Sequence, residues 1–253
     1  MGTEIAPDVQ YHIGLKKGDV GRYVLLPGDP GRVPKIAQYF DKAWKVASNR
    51  EYTTYTGEVD GIKISATSTG IGCPSAAIAI EELIKVGADT FIRVGTAGSL
   101  QPEVKVGDVV IATGTVRQDG TSPQYVPEIY PAVPHPEVMI ALKKAADRLN
   151  IRAHLGITHT KDAFYTEGSK DIPRYEIIEN EWKIWERANV LSTSMEEAAL
   201  FVIGSIKKVR VGSILAIIGA TWSDKPIEKK VGIDEAIRVA IEAVKILERE
   251  KVL

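Results

Sequence analysis

Thr90-Phe91-Ile92-Arg93-Val94-Gly95-Thr96-Ala97-Gly98 is an apolar run that carries one arginine and ends in a turn of small residues. A short apolar, β-branched stretch bounded by glycine reads as a strand buried on both faces, here Thr90 to Val94, and is too short for a helix. Tyr23 to Leu26, Ile62 to Ala66, Asp108 to Ala112 and Ser213 to Ile218 read the same way. Between such runs, Pro74 to Val86 reads as a helix, with proline near its start, alanine and isoleucine on one face and Gly87 just past its end. Glu137 to Leu149, Met195 to Ile206 and Ile233 to Glu250 fit helices too. Strands alternating with helices predict an α/β fold with a largely buried sheet.

The chain has 253 residues, 44% of them hydrophobic, which is enough for one sizeable core, and a single domain spanning 1–253 is expected. No repeat, low-complexity tract or linker divides it. With 32 basic against 33 acidic residues the formal charge is −1, so no global field gathers a polyanion, and a small substrate is expected in place of nucleic acid. No apolar run is long enough for a signal peptide or a membrane span, which predicts a cytoplasmic protein without a membrane partner. Cys73 is the single cysteine, so an internal disulfide is excluded, and its setting predicts a small packing residue. The least regular stretch, Arg117 to Pro136, contains five prolines; a loop of that length carries function, makes subunit contacts or simply packs on the surface.

Three segments, and a further arginine that can join the second, suggest chemistry. Leu25-Leu26-Pro27-Gly28-Asp29-Pro30-Gly31-Arg32 takes a strand into a glycine-rich turn and a helix beginning near Pro30, where free backbone N–H groups and Arg32 can meet an anion. Arg93 in a buried strand requires an anionic partner, either a structural carboxylate or a ligand beyond the strand's carboxyl end, to which the Thr96 hydroxyl also points. Arg50, in Ser48-Asn49-Arg50-Glu51-Tyr52, can join the other two arginines or pair with Glu51. Ser194-Met195-Glu196-Glu197 looks like a helix start capped by Ser194, and a carboxylate there either complements the helix dipole or accepts bonds from sugar hydroxyls. His135, His154 and His159 lack the spacing of a metal site and are expected to be structural or exposed.

Taken together, these segments resemble the nucleoside phosphorylase-I family, and its uridine-cleaving branch most of all. The likeness also includes His12-Ile13-Gly14-Leu15, Ser68-Thr69-Gly70-Ile71-Gly72 and Val116-Arg117-Gln118-Asp119-Gly120, in order along nearly the whole chain. The resemblance implies the family's fold, a mixed central sheet flanked by helices, and phosphorolysis of uridine to uracil and ribose 1-phosphate with inorganic phosphate as co-substrate. It implies a phosphate site of Gly28, Arg32, Arg93 and Thr96, completed by Arg50 from a neighbouring subunit. Met195, Glu196 and Thr96 would hold the ribose and His12 would close the adjacent subunit's sugar site. Phe164 would pack on the base, a homo-hexamer built as a trimer of dimers would form, and a monovalent cation such as potassium would sit at Glu51, Ile71 and Ser75.

The sequence departs from the branch's pattern where the base is read. Gly168 and Lys170 stand where a glutamine and an arginine are expected, and Thr221 where a second arginine is expected. Lys170 can donate to a carbonyl but does not copy a bidentate guanidinium. Ser223-Asp224 resembles the pair with which purine-cleaving relatives protonate the base, so guanosine or inosine, or a broad specificity, stays open beside uridine. A hydrolase and a non-catalytic nucleoside-binding protein are the rival classes; the first is disfavoured by the retained arginines.

Overall fold

The structure, a computed structural model, describes residues 8–220 and 231–253. Among the described residues, nine strands form one mixed sheet in the order β2-β3-β4-β1-β5-β8-β7-β6-β9. They are β1 (Tyr23–Leu26), β2 (Lys42–Asn49), β3 (Tyr52–Val59), β4 (Ile62–Thr67), β5 (Thr90–Ser99), β6 (Val109–Gln118), β7 (Ala153–Lys161), β8 (Ser192–Ser194) and β9 (Arg210–Ala220). The expected mixed sheet is therefore present, and it has a closure that the sequence did not suggest. β5 also pairs with β9 in parallel along its length, which joins β5, β8, β7, β6 and β9 into a ring.

The helices are α1 (Val33–Ala37), α2 (Cys73–Lys85), α3 (Pro136–Arg148), α4 (Tyr175–Arg187), α5 (Glu197–Lys207) and α6 (Ile233–Arg249). The apolar faces of α2, α3, α5 and α6 cover the two sides of the sheet. Leu142, Ile237 and Val244 from α3 and α6 join one core cluster, while Ile80, Leu83, Phe201 and Val202 from α2 and α5 join another. Each fully buried side chain of this kind contributes roughly 1.5–3 kcal/mol. Cys73 is buried in the second cluster, as a packing residue.

Three features of this architecture position the site. β1 ends at Leu26 and passes through a 3-10 turn, Pro30–Arg32, into α1, which realises the helix expected near Pro30. β5 runs past its expected end at Val94 to Ser99, with a register shift between Ala97 and Gly98. β8 pairs antiparallel to that far end, Gly98 opposite Thr193, so the chain leaving Ser194 is carried back toward the middle of β5. The irregular stretch after β6 is pinned by Arg117, whose guanidinium donates to the carbonyl oxygens of Val126 (3.0 Å) and Pro127 (2.8 Å).

Candidate functional site

Glycine 28 sets the first corner of the site. The Gly70 amide donates to the Gly28 carbonyl at 3.0 Å and the Thr69 amide to that of Pro27 at 2.9 Å, which ties the turn after β1 to the segment after β4. A Cβ on Gly28 would lie 3.2 Å from the Gly70 oxygen and 4.0 Å from Arg93 Nη1, so any side chain here would intrude on the space that the arginine faces. Asp29 Oδ1 accepts from the Gly31 amide at 2.8 Å and caps the 3-10 turn, which aims Arg32 at the same space. Arg32 Nη1 donates to the Val94 carbonyl at 3.2 Å. Burial, and next the charge of Arg93, hold the Arg32 pKa below the ordinary guanidinium value. A guanidinium whose charge is disfavoured by burial and by a second guanidinium, beside a glycine turn, is suited to an anion bound between the two.

Arg93 lies buried between two carboxylates. Its Nε donates to Glu197 Oε1 at 2.8 Å and its Nη2 to Glu196 Oε2, while Nη1 is buried without a hydrogen-bond partner. The partner required for this charge is thus a pair of structural carboxylates, and a ligand is left one face of the guanidinium. Glu197 also accepts from Ser213 Oγ at 2.9 Å and from the Ser194 hydroxyl. Here the helix-start reading is corrected: Ser194 ends β8, Glu196 occupies the cap position of α5, and the serine hydroxyl serves the Glu197 carboxylate in place of the helix amides. Glu196 accepts from the Gly72 amide at 2.9 Å and from the Met195 amide at 3.2 Å. Burial pushes the Glu196 carboxyl above the usual carboxylate range, with Arg93 opposing the rise and Glu197 adding to it.

These groups line one cleft of about 760 Å³, large enough for a nucleoside with an anion beneath it. Gly28, Arg32, Arg93, Thr96, Met195 and Glu196 form its polar end. Phe164, half-exposed, lines the other end together with Lys161, Glu167, Thr193 and the last residues of β9, Ile218 to Ala220. Glu51, Ile71 and Ser75 stand at the rim. The base-reading residues expected from the sequence are placed differently. Gly168 lines an adjacent hollow with Thr166 and Trp182, and Lys170 is exposed and absent from the cleft wall. Thr221, Ser223 and Asp224 lie outside the described residues.

The profile of the Phosphorylase superfamily matches residues 22–249, which takes in both arginines of the anion corner and the carboxylates behind them. The chain belongs to that superfamily. It is 49% identical over 251 residues to a uridine phosphorylase of Treponema pallidum, covering 98% of this chain and 97% of the relative. It is 48% identical over 242 residues to a uridine phosphorylase of Thermococcus kodakarensis, covering 94% and 87%. A guanosine phosphorylase of Halorubrum lacusprofundi is 40% identical over 248 residues, covering 94% and 99%.

Within this superfamily member, two expected site residues stand apart from the cleft. Arg50 occupies the two-residue hairpin loop between β2 and β3 at φ 52°, a left-handed conformation that costs a non-glycine residue about 1–2 kcal/mol. Its guanidinium lies 5.8 Å from the Tyr11 ring centroid. His12 is adjacent, since Asn49 Nδ2 donates to its carbonyl at 2.8 Å, and its ring Nδ1 is 2.7 Å from Glu82 Oε1. The two residues assigned to a neighbour's site therefore lie close together at the surface, Arg50 exposed and His12 partly buried. Of the three other histidines, His154 bonds Asp108 at 2.8 Å, and His159 is buried between Thr193 and Gln118. Burial and the nearby Lys161 charge push His159 down to about 3, which keeps it neutral.

Lys161, Glu167, Glu197 and Thr193 carry no role in the sequence reading. For Glu197 a signal was available, because an arginine in an apolar strand needs charge compensation and the Glu196-Glu197 pair offers two carboxylates. Lys161 gives no such signal, since its position depends on the end of β7, a strand absent from the reading.

Proposed function

We propose that the chain is a uridine phosphorylase, a pentosyltransferase that cleaves the N-glycosidic bond of uridine with inorganic phosphate to give uracil and ribose 1-phosphate. The observation that carries the reading is Arg93, fixed by Glu196 and Glu197 with Nη1 left facing Gly28 beside Arg32. A phosphate held there lies under a ribose whose hydroxyls reach Glu196, with Thr96 and Met195 beside it. Attack by a phosphate oxygen at the anomeric carbon breaks the bond to the base, and the phosphate's negative charge stabilises the oxocarbenium character that develops. The choice of uridine follows the two relatives of nearly half identity that bear that name. Incubating uridine, thymidine, cytidine, inosine, guanosine and adenosine with and without phosphate tests it. Phosphate-dependent uracil release is expected; purine release moves the substrate to a purine nucleoside, and phosphate-independent release replaces the phosphorylase reading with a hydrolase.

The closeness of His12 and Arg50 at the surface, and the strain spent in presenting Arg50, support a homo-oligomer in which one subunit completes its neighbour's cleft. A hexamer built as a trimer of dimers is the assembly proposed. Glu51, Ile71 and Ser75 meet at the cleft rim, with Ser75 Oγ 3.0 Å from the Ile71 carbonyl oxygen, and offer the oxygen donors that a hard monovalent cation such as potassium takes. A cytoplasmic location suits an enzyme whose co-substrate is inorganic phosphate. Completion in trans has a direct check: Arg50→Ala and Glu196→Ala are each expected to be nearly inactive, while subunits of the two variants co-expressed in one cell recover part of the activity. Recovery fails if both residues serve the cleft of their own chain.

A further inference from the structure

The wall of the cleft also holds an ion pair outside the anion corner, Lys161 with Glu167. Lys161 is the last residue of β7 and is only 8% exposed. Its ammonium lies 5.5 Å from the Phe164 ring centroid and 5.0 Å from that of Trp182. Glu167 follows the 3-10 turn Phe164–Thr166, and the next residue, Gly168, takes a left-handed φ of 68° with no atom within 4 Å of a would-be Cβ. Gly168 thus turns the backbone away just after the carboxylate, which explains a glycine here without giving it a contact to the base. Lys161 is nearly buried and Glu167 only partly so, and two charges drawn out of water into the wall of a binding cleft are placed to meet a polar ligand there.

We infer that Lys161 and Glu167 read the edge of the leaving base, the ammonium donating to a ring carbonyl and the carboxylate accepting from the adjacent ring N–H. The inference rests on the phosphorylase reading above. The ammonium lies over the Phe164 ring and lines the same cleft as Glu167, so a base packed against Phe164 meets the pair. Uracil offers a carbonyl at C4 beside the N3–H, in the acceptor–donor order that an ammonium–carboxylate pair complements. Hypoxanthine and guanine offer the same order at C6 and N1. Cytosine and adenine invert it, with an amino donor beside an unprotonated ring nitrogen, and would leave both charges desolvated and mispaired. Burial lowers Lys161 to about 8, so at neutral pH it retains the proton it donates, and the neighbouring His159 is neutral. During cleavage the electron pair of the C1′–N1 bond passes into the uracil ring and onto its carbonyl oxygens, where Lys161 remains protonated as a hydrogen-bond donor. The proton that hydrogen phosphate gives up on becoming an ester ends on the base.

Steady-state phosphorolysis of uridine, cytidine and 3-methyluridine, which lacks the N3–H, tests the pair. The wild-type enzyme is expected to prefer uridine to either analogue by more than ~100-fold in kcat/KM, as a site built to hydrogen-bond its ligand does. Glu167→Gln should lose ~10- to 100-fold on uridine and change little on 3-methyluridine, the span associated with a hydrogen bond to a charged group. Lys161→Met should lose a similar factor on both, and Lys161→Arg should recover part of it. Wild-type use of cytidine as readily as uridine overturns the inference without any variant. So do Lys161→Met and Glu167→Gln enzymes within twofold of wild type on uridine. If the wild type releases no uracil from uridine in phosphate, it is the underlying substrate reading that fails, and the assignment of the pair to a uracil edge falls with it.

Discussion

Arg93→Ala is expected to lower kcat/KM for phosphorolysis by at least ~10³-fold, since removal of one preorganised donor to developing or bound charge already costs about 10²–10³. The loss exceeds that of a single contact because of what surrounds the guanidinium. Nη1 faces the anion corner, while Nε and Nη2 neutralise Glu197 and Glu196. Without the arginine, two carboxylates border the phosphate position and repel the dianion. The same geometry sets a cost to folding. Breaking a buried pair by removing one partner costs about 3–5 kcal/mol, so Arg93→Ala should also unfold at lower urea concentration. Arg93→Lys separates the two effects. It keeps a positive charge among the carboxylates and loses the fork geometry, so most of the stability should return while most of the activity does not. Wild-type rates in either variant would remove Arg93 from the phosphate site.

The contrast between Arg93 and Lys161 shows which parts of this molecule are legible in its sequence. A charge inside an apolar strand is conspicuous, and β1, buried at every position, announces itself by composition alone. The helices α2, α3, α5 and α6 were legible through their apolar faces, with ends misplaced by two residues or fewer. β2 and β3 were not, for different reasons. β2 is largely exposed and carries lysines, so no face is consistently apolar. β3 turns hydroxyls inward, where Thr54 bonds Thr67 at 2.9 Å and Thr56 bonds Ser65 at 2.8 Å, and buried polar pairs erase the alternation that marks a strand. α4 was overlooked: its apolar residues, among them Ile178, Trp182 and Trp185, recur at helical spacing, but charged residues surround them and none is buried.

The candidate site follows the same division. Its anion corner rests on features visible in short stretches, a glycine turn with an arginine four residues on and a lone arginine in an apolar strand, and these can be read in order. Its base end depends on the ring closed by β5 and β9, which brings the ends of β7, β8 and β9 to one cleft from segments far apart in the chain. Position 168 illustrates the consequence. Alignment with a family pattern assigned it to the base, whereas the fold uses its glycine for a turn and hands the cleft wall to Glu167.

Glu197→Ala is expected to be about as destabilising as Arg93→Ala, lowering stability by about 3–5 kcal/mol as measured by urea denaturation, because it removes one of the two carboxylates that neutralise a buried charge. Glu197 is fully buried and accepts from Arg93 Nε, Ser213 Oγ and the Ser194 hydroxyl, so its loss strands three donors at once. In a chain of this size each kcal/mol corresponds to roughly 2–4 °C, which places the drop in Tm at about 6–20 °C. Glu197→Gln keeps the volume and an acceptor oxygen but removes the charge and turns one oxygen into a donor that faces other donors, so an intermediate loss is expected. Activity should fall in both, since an Arg93 held by Glu196 alone no longer has its Nε fixed and its Nη1 is no longer aimed at the anion corner. A Glu197→Ala enzyme that unfolds within 1 kcal/mol of wild type would mean that Arg93 is neutralised from elsewhere. The two-carboxylate cradle would then not be what aims it.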